Sequence, residues 1–201
     1  MNTLVLLSSI LGDASRSNHL AQHAIARVKA TDPTGTVTIR DLAAEPLPYF
    51  DAATAGSLFT PAESRTAAQQ AVVDLSDTLV AELQAADRVI IAVPVYNFGI
   101  PAQLKSYFDL VARAGITFRY TAEGKPEGLV TGKDVIVIIA RGGVALGTPM
   151  DTITPYLQTF LGFLGMTQVT VVAAEGVKMG EAALNQALQG ARADLERLLA
   201  A

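Results

Sequence analysis

Four stretches of the chain are apolar almost without interruption, and this pattern predicts strands. They cover residues 3–7, 89–93, 135–140 and 169–174 and are rich in valine, isoleucine, leucine and alanine. Continuous apolar runs of this length are typical of parallel strands whose two faces are both covered by helices. Residues 36–40 alternate between polar and apolar side chains instead, so we expect a fifth strand at an edge of the sheet.

Between the predicted strands, apolar residues recur every three or four positions, as they do on one face of a helix. The alternation of strand and helix predicts an α/β fold, namely a doubly wound five-stranded parallel sheet with helices on both faces. We interpret residues 1–201 as a single domain and residues 43–61, which contain three prolines, as a long connection. The helical stripes are Leu20, Ala21, Ala24, Ile25 and Val28; Val72, Leu75, Leu79 and Leu83; Leu104, Phe108 and Val111; Ile153, Leu157, Phe160, Leu161 and Leu164; and Leu184, Leu188, Ala191, Leu195 and Leu198.

The composition excludes several classes of protein. Because the chain contains no cysteine, it has no disulfide framework, no thiolate nucleophile and no cysteine-ligated zinc site. Its net charge of −4 and the lack of any basic run argue against a nucleic-acid partner, since nucleic-acid binding depends on clustered lysine and arginine. Hydrophobic residues make up 50% of the chain, which indicates a sheet buried on both faces or a surface covered by self-association.

No apolar stretch approaches the roughly 20 residues of a membrane span, so we expect no membrane partner. The apolar residues near the amino terminus lack the preceding positive charges and the following small-residue cleavage site of a signal peptide. We therefore expect a cytoplasmic protein.

The loop after the first predicted strand has the groups that bind an anion. Ser9, Ser15, Arg16 and Ser17 lie in this loop, directly before a helix. Helix N-termini favour anions because their free N–H groups and the helix dipole both attract negative charge, so a phosphate monoester suits this loop. The loop has neither a Walker motif nor a G-x-G-x-x-G motif, which argues against a triphosphate or a dinucleotide pyrophosphate here. The alternative is that one serine simply caps the helix.

Two further loops follow the third and fourth predicted strands, residues 89–93 and 135–140. Tyr96, Asn97 and Phe98 lie between prolines and could hold a flat ring by stacking and hydrogen bonding, or form a rigid turn whose rings fill the core. Gly142 and Gly143 allow close approach of a ligand to the backbone beside the fixed charge of Arg141, or form a flexible turn. Ligands of open parallel sheets bind at the carboxyl ends of the strands, so all three loops belong to one rim.

Taken together, these motifs resemble the FMN-dependent NADH-azoreductases, a branch of the flavodoxin-like quinone reductases. The similarity spans nearly the whole chain, and the Tyr-Asn-Phe and Arg-Gly-Gly loops are its most specific parts. Residues 40–43, 107–115, 117–120, 127–133 and 156–162 agree as well. The segments that carry the resemblance are Ser9 with Ser15-Arg16-Ser17, then Pro94-Val95-Tyr96-Asn97-Phe98, then Arg141-Gly142-Gly143.

The resemblance implies an FMN site, residue by residue. Two positions depart from the family pattern, because Ala140 stands where a serine is expected and Val95 where methionine is frequent. Both positions are expected to act through their backbone, so FMN binding should survive. The implied phosphate site is Ser9, Ser15, Arg16 and Ser17, and the implied ring site is Val95, Tyr96, Asn97 and Phe98 together with Ala140, Arg141, Gly142 and Gly143.

The resemblance also implies a reaction and an assembly. NADH or NADPH would pass hydride to N5 of FMN, leave, and be replaced by a quinone or an azo compound in a ping-pong reaction, with two cycles for each azo bond. We assign no catalytic acid or base, because solvent can supply the protons. We assign no metal site, because the pair His19 and His23 lacks a third ligand nearby in the sequence. The family is typically homodimeric, with the substrate pocket between subunits, and Tyr120 and Phe163 would form aromatic walls of that pocket.

Three other functions compete with this interpretation. A flavodoxin-type electron carrier would bind flavin without oxidising NADH, but such carriers tend to be shorter and more acidic than this chain. A serine hydrolase using Ser9 needs a histidine base, and His19 and His23 are predicted on the solvent side of the first helix. A phospho-receiver needs acidic residues where Ser9 and Pro94 stand, which excludes that class.

Overall fold

A computed structural model describes residues 1–200 and contains one five-stranded parallel sheet with a separate two-stranded hairpin. The strands are β1 (Asn2–Leu7), β2 (Thr36–Asp41), β3 (Arg88–Pro94), β4 (Phe118–Tyr120), β5 (Pro126–Gly128), β6 (Asp134–Ala140) and β7 (Gln168–Ala174). The helices are α1 (Arg16–Thr31), α2 (Ala52–Phe59), α3 (Ala67–Ala85), α4 (Ala102–Val111), α5 (Ile153–Phe163) and α6 (Glu181–Leu198).

The strand order of the large sheet is β2-β1-β3-β6-β7, and all its pairs are parallel. In this order β2 lies on one side of β1, and the later strands β3, β6 and β7 follow on the other side. This order confirms the predicted doubly wound fold. It also confirms that the alternating strand, β2, lies at an edge, where Thr36 and Thr38 are exposed.

Helices cover both faces of the sheet because each buries one apolar stripe. β3 is buried at every position, as its unbroken apolar sequence predicts. On one face, α1 and α6 pack in a cluster that includes Leu20, Ala24 and Leu195 with Val5 and Ile90 of the sheet. On the other face, α3, α4 and α5 pack in a cluster that includes Leu79, Leu104 and Leu157 with Leu4 and Ile91.

The sequence interpretation missed three features of the fold. The connection over residues 43–61 contains the helix α2, which Asp51 caps by accepting a hydrogen bond from the Thr54 amide at 2.8 Å. Residues 118–128 form the β4–β5 hairpin. In α3, the core-facing valine is Val73 rather than Val72, which is only half-buried.

The hairpin is held against the end of α5 by a close approach of two backbones. A Cβ atom at Gly128 would lie 2.1 Å from the Gly165 amide nitrogen, so only glycine fits there. The Val130 amide also donates a hydrogen bond to the Leu164 carbonyl at 2.8 Å. The hairpin is thus fixed to the α5 side of the sheet. Within residues 1–200, none of the helices combines the length and the apolar character needed to cross a bilayer.

Candidate functional site

The loops that follow β1, β3 and β6 meet at the carboxyl edge of the sheet, beside the point where the strand order reverses. They line two adjoining cavities of ≈ 330 Å³ and ≈ 350 Å³, and both cavities are bordered by Val95 and Gly142. We call the first the serine end, because Ser9, Ser15 and Ser17 line it. The second is the glycine end, lined by Gly142 and Gly143 together with Asn97, Phe98 and Arg141.

The serine end is built on the N-terminus of α1. Ser15 caps this helix, because its Oγ accepts a hydrogen bond from the Asn18 amide at 3.2 Å. Its Oγ also lies 3.1 Å from Ser17 Oγ, and both serines are buried although they border the cavity. The first amides of a helix have no partner inside it, so those of Arg16 and Ser17 can bind an anion together with the hydroxyls. Ser15 therefore does cap the helix, and it does so within a site suited to an anion.

A hydrogen bond links the loop after β1 to the loop after β3. Ser9 Oγ lies 3.0 Å from the hydroxyl of Tyr96, and the Leu11 amide reaches the same Oγ at 3.3 Å. Ser9 is buried and Tyr96 is half-buried. The phenol ring thus borders the serine end of the cleft. It is not buried in the core, as it would be if the loop were only a rigid turn whose rings fill the core.

The aromatic loop after β3 is a tight turn with an uncommon backbone. Tyr96 and Gly99 exchange two hydrogen bonds, of 3.1 Å and 2.9 Å, around Asn97 and Phe98. Both central residues have positive φ, 48° for Asn97 and 64° for Phe98. Asparagine tolerates this region, but a bulky residue such as phenylalanine there costs roughly 1–2 kcal/mol. Because the turn holds the Phe98 ring 65% exposed at the glycine end, this strain places an aromatic face where a ligand can stack on it.

The glycine loop after β6 is fixed by the turn that follows β7. The carbonyls of Arg141, Gly142 and Gly143 accept hydrogen bonds from the amides of Val177, Lys178 and Gly176 at 3.2, 3.2 and 2.9 Å. In a trans peptide the N–H points opposite to the preceding carbonyl, so the amides of both glycines point away from that turn. A Cβ atom at Gly143 would have no neighbour within 4 Å, which leaves this backbone open to a ligand.

Arg141 is a fixed cation, as expected, but its charge is compensated inside the protein. Its guanidinium is buried, donates to Asp151 Oδ1 at 2.9 Å and has Nε 3.5 Å from Glu175 Oε1. Burial opposes ionisation of Asp151, but the hydrogen bonds from Arg141 and from Thr154 outweigh it and lower the pKa of the carboxyl group. Glu175 Oε1 accepts the amides of residues 145 and 146 at 2.8 Å each. Arg141 therefore shapes the glycine loop and holds it in place.

Tyr120 and Phe163 do not border either cavity of the single chain. Both rings pack against Phe118, whose ring centroid is 5.9 Å from that of Tyr120 and 4.5 Å from that of Phe163. Tyr120 is 63% exposed on the hairpin, and Phe163 is half-buried. The structure thus brings the two predicted walls together, away from the cleft of their own chain.

The histidines also lie away from the cleft. His19 is exposed on α1, and His23 Nε2 lies 3.4 Å from Glu196 of α6. Neither borders the cavity that contains Ser9, so the geometry does not support a serine hydrolase.

Sequence reasoning missed Lys178, which borders the serine end, and the two carboxylates that hold Arg141. Lys178 and Glu175 follow β7, far along the chain from the serine loop, and Asp151 is an isolated acidic residue before α5. No local motif marks any of the three, so only the spatial arrangement shows them.

Comparison with known proteins agrees with this geometry. A family model described as "Flavodoxin-like fold" matches residues 1–199. A relative from Bordetella avium, named FMN-dependent NADH:quinone oxidoreductase, is 65% identical over 99% of this chain and 98% of its own length. A protein of the same name from Aromatoleum aromaticum is 51% identical, and the alignment covers 100% of both chains.

Solved structures show the same likeness. The azoreductase AzrA superposes with a TM-score of 0.89 at 27% identity and 99% coverage of both chains. An azoreductase from Bacillus anthracis str. Sterne superposes with a TM-score of 0.88 at 28% identity, covering 98% of this chain and 97% of that one.

Proposed function

The chain belongs to the flavodoxin-like family, and from that premise we propose that it is an FMN-dependent NADH:quinone oxidoreductase that also cleaves aromatic azo compounds to amines. The observation that carries the proposal is the cleft, which joins an anion-binding end to an end lined by an aromatic ring and open glycine backbone. The two parts of FMN, a phosphate monoester and a flat heterocycle, need these two environments.

The serine end fits the phosphate. Ser15, Arg16 and Ser17 offer hydroxyls, a guanidinium and the N-terminal amides of α1, and Ser9 adds a hydroxyl to the same cavity. Such a set of hydrogen-bond donors at a helix N-terminus is typical of phosphate sites. The combined size of the two cavities also lies within the range of about 300–1,000 Å³ that small-ligand pockets occupy.

The glycine end fits the ring. The amides of Asn97, Phe98, Gly142 and Gly143 make no hydrogen bond to any group within residues 1–200, so they are free to bind the polar edge of a heterocycle. Val95 and Ala140 act here through their backbone, since the Val95 amide donates to the Ala140 carbonyl at 3.0 Å. The serine and methionine expected at these positions are therefore not needed to join the two loops.

When bound, FMN supplies two-electron transfer, accepting hydride from NADH and passing it to a quinone or an azo bond in separate half-reactions. The chain's own part is to orient the ring with its loop amides and to stabilise negative charge at the ring edge. Among residues 1–200, no aspartate, glutamate, histidine or lysine borders the glycine end, so solvent would supply the protons.

The substrate slot is proposed to be completed by a second copy of the chain. Tyr120 and Phe163 lie away from the cleft of their own chain, and Tyr120 exposes its ring on the hairpin. In a homodimer these rings would form a wall over the partner's glycine end. Phe98 would then form the wall on the near side. The cytoplasmic location expected from the sequence stays a prediction.

The test is a visible absorption titration of the protein with FMN, followed by NADH without oxygen and then by a quinone. We expect the flavin band to shift on binding, to bleach with NADH and to return with the quinone. Initial rates should give parallel double-reciprocal lines, and an azo dye should consume two NADH per azo bond. Flavin that binds but is not reduced would indicate an electron carrier, and a protein that binds no FMN would contradict the proposal.

A further inference from the structure

Lys178 occupies a position that the backbone fixes beside the cleft. Its amide donates to the Gly142 carbonyl at 3.2 Å, within the set of hydrogen bonds that joins the turn after β7 to the glycine loop. Its side chain packs on the same glycine, because a Cβ atom at Gly142 would lie 3.2 Å from Lys178 Cδ. From there the side chain borders the serine end together with Arg16, Ser15 and Ser17.

The charges of Lys178 and Arg16 are not compensated by the protein. Within residues 1–200, neither side chain has a carboxylate within 4.0 Å, and no aspartate or glutamate borders the serine end. The nearby Glu175 is engaged by two backbone amides and faces Arg141 instead. Two unpaired cations thus lie at one end of a cleft in a protein whose net charge is −4. Both charges would attract an anion that binds at this end, and the protein would not have to break an ion pair of its own to bind it.

We propose that Lys178 is a cofactor-binding residue that, together with Arg16, selects the phosphorylated flavin over riboflavin. The inference rests on the proposed function and deepens it, because it assigns a second cation, from a separate element of the fold, to the phosphate monoester. A phosphate at the N-terminus of α1 would lie between a guanidinium that can form paired hydrogen bonds and a mobile ammonium group. Riboflavin lacks the phosphate and would gain nothing from either charge.

The experiment compares Lys178→Met with the wild-type protein, using FMN and riboflavin as separate ligands. Methionine keeps the apolar stem on Gly142 and removes the charge. We expect the Kd for FMN to rise roughly fivefold to twentyfold, as for the loss of one partly exposed charge-assisted contact. The Kd for riboflavin should not change. The difference in the Kd for FMN between the variant and the wild type should shrink in about 0.5 M salt, because exposed charges are then screened within a few ångströms.

Lys29→Met is the matched control, because Lys29 is an exposed lysine in the last turn of α1 and borders neither cavity. It should bind both flavins as the wild type does. Equal weakening of FMN and riboflavin by Lys178→Met would show that the lysine only packs on the glycine loop, and an unchanged Kd for FMN would also overturn the proposal. A wild-type protein that binds FMN but is not reduced by NADH would refute the proposed enzyme and leave the role of Lys178 intact.

Discussion

At the scale of single residues, the structure contains a buried polar group that nothing satisfies. Tyr107 is 1% exposed in the core, and its hydroxyl has no hydrogen-bond partner among the described residues. Burial raises the pKa of this phenol, the Glu82 carboxylate adds to the increase, and the Arg40 guanidinium opposes it. The hydroxyl therefore stays neutral, and its burial opposes folding because hydrogen bonds to water are lost without replacement.

Tyr107→Phe should consequently leave the protein as stable as the wild type or more stable by up to about 1 kcal/mol. Urea unfolding, followed by circular dichroism, measures this from the midpoint at constant slope. Ser76→Ala is the control, since its buried hydroxyl donates to the Leu110 carbonyl at 2.7 Å and accepts from Arg113 at 2.6 Å. Its loss should cost about 1–3 kcal/mol. A Tyr107→Phe protein destabilised as much as Ser76→Ala would contradict the argument.

At the scale of elements, the loop between β6 and α5 depends on a buried ion cluster. Arg141 pairs with Asp151, which also accepts a hydrogen bond from the Thr154 amide in the first turn of α5 at 3.2 Å. One carboxylate thus connects the glycine loop to the start of a helix. Removing Asp151 is costly because the buried guanidinium of Arg141 loses its direct hydrogen-bonded partner and keeps only Glu175, at 3.5 Å.

Asp151→Asn should destabilise the protein by about 3 kcal/mol near neutral pH. The folded pKa of Asp151 lies below its ordinary value of 3.8. Its contribution is therefore present above the ordinary value and is lost as the pH falls through the lower folded pKa. The difference between wild type and variant in urea unfolding should be constant from pH 7 to about pH 5 and should shrink below about pH 4. A difference that is independent of pH would mean that the negative charge does not hold the loop.

At the scale of the whole molecule, the single chain exposes more surface than its size requires. Its accessible surface is 9996 Å², whereas a compact monomer of 21.1 kDa is expected to expose about 9,000 Å². Four large aromatic side chains are more than half exposed: Phe59 at 79%, Tyr49 at 73%, Phe98 at 65% and Tyr120 at 63%. A second copy of the chain that covered Phe98 and Tyr120 would remove their apolar surface from water, which is consistent with the proposed homodimer.

Light scattering should therefore give a mass of about 42 kDa, twice the 21.1 kDa of the chain. Tyr120→Asp should shift the mass toward the monomer and reduce quinone reduction at least tenfold, while FMN binding stays near the wild-type level. We expect this loss because the introduced carboxylate would be buried at the subunit interface without a partner of opposite charge. Leu198→Asp is the control and should remain dimeric. The sequence pattern wrongly placed Leu198 on the buried stripe of the last helix, since it is 38% exposed and Leu199 is buried instead. Full activity from a protein that scatters as a monomer would contradict the shared slot.

The sequence by itself determined the fold, because its signals are local. The apolar runs locate four strands of the sheet, the alternation of residues 36–40 locates the fifth at its edge, and the helical stripes locate the five long helices. Once the order of these elements is known, the rule for parallel sheets brings Ser9, Tyr96 and Gly142 to one cleft. Helix α2 was not predicted because it is short, with only two buried residues, and lies in a proline-containing connection.

Only the tertiary structure decided how the charges are distributed around that cleft. Arg141 is visible in the sequence, but its partners Asp151 and Glu175 come from separate segments, and nothing local distinguishes them from surface carboxylates. Lys178 reaches the serine end only because β7 pairs with β6, which aligns the turn after one strand with the loop after the other. Charge pairing depends on distances between residues remote in sequence. The fold sets those distances, and they cannot be predicted from local patterns of apolar and polar residues.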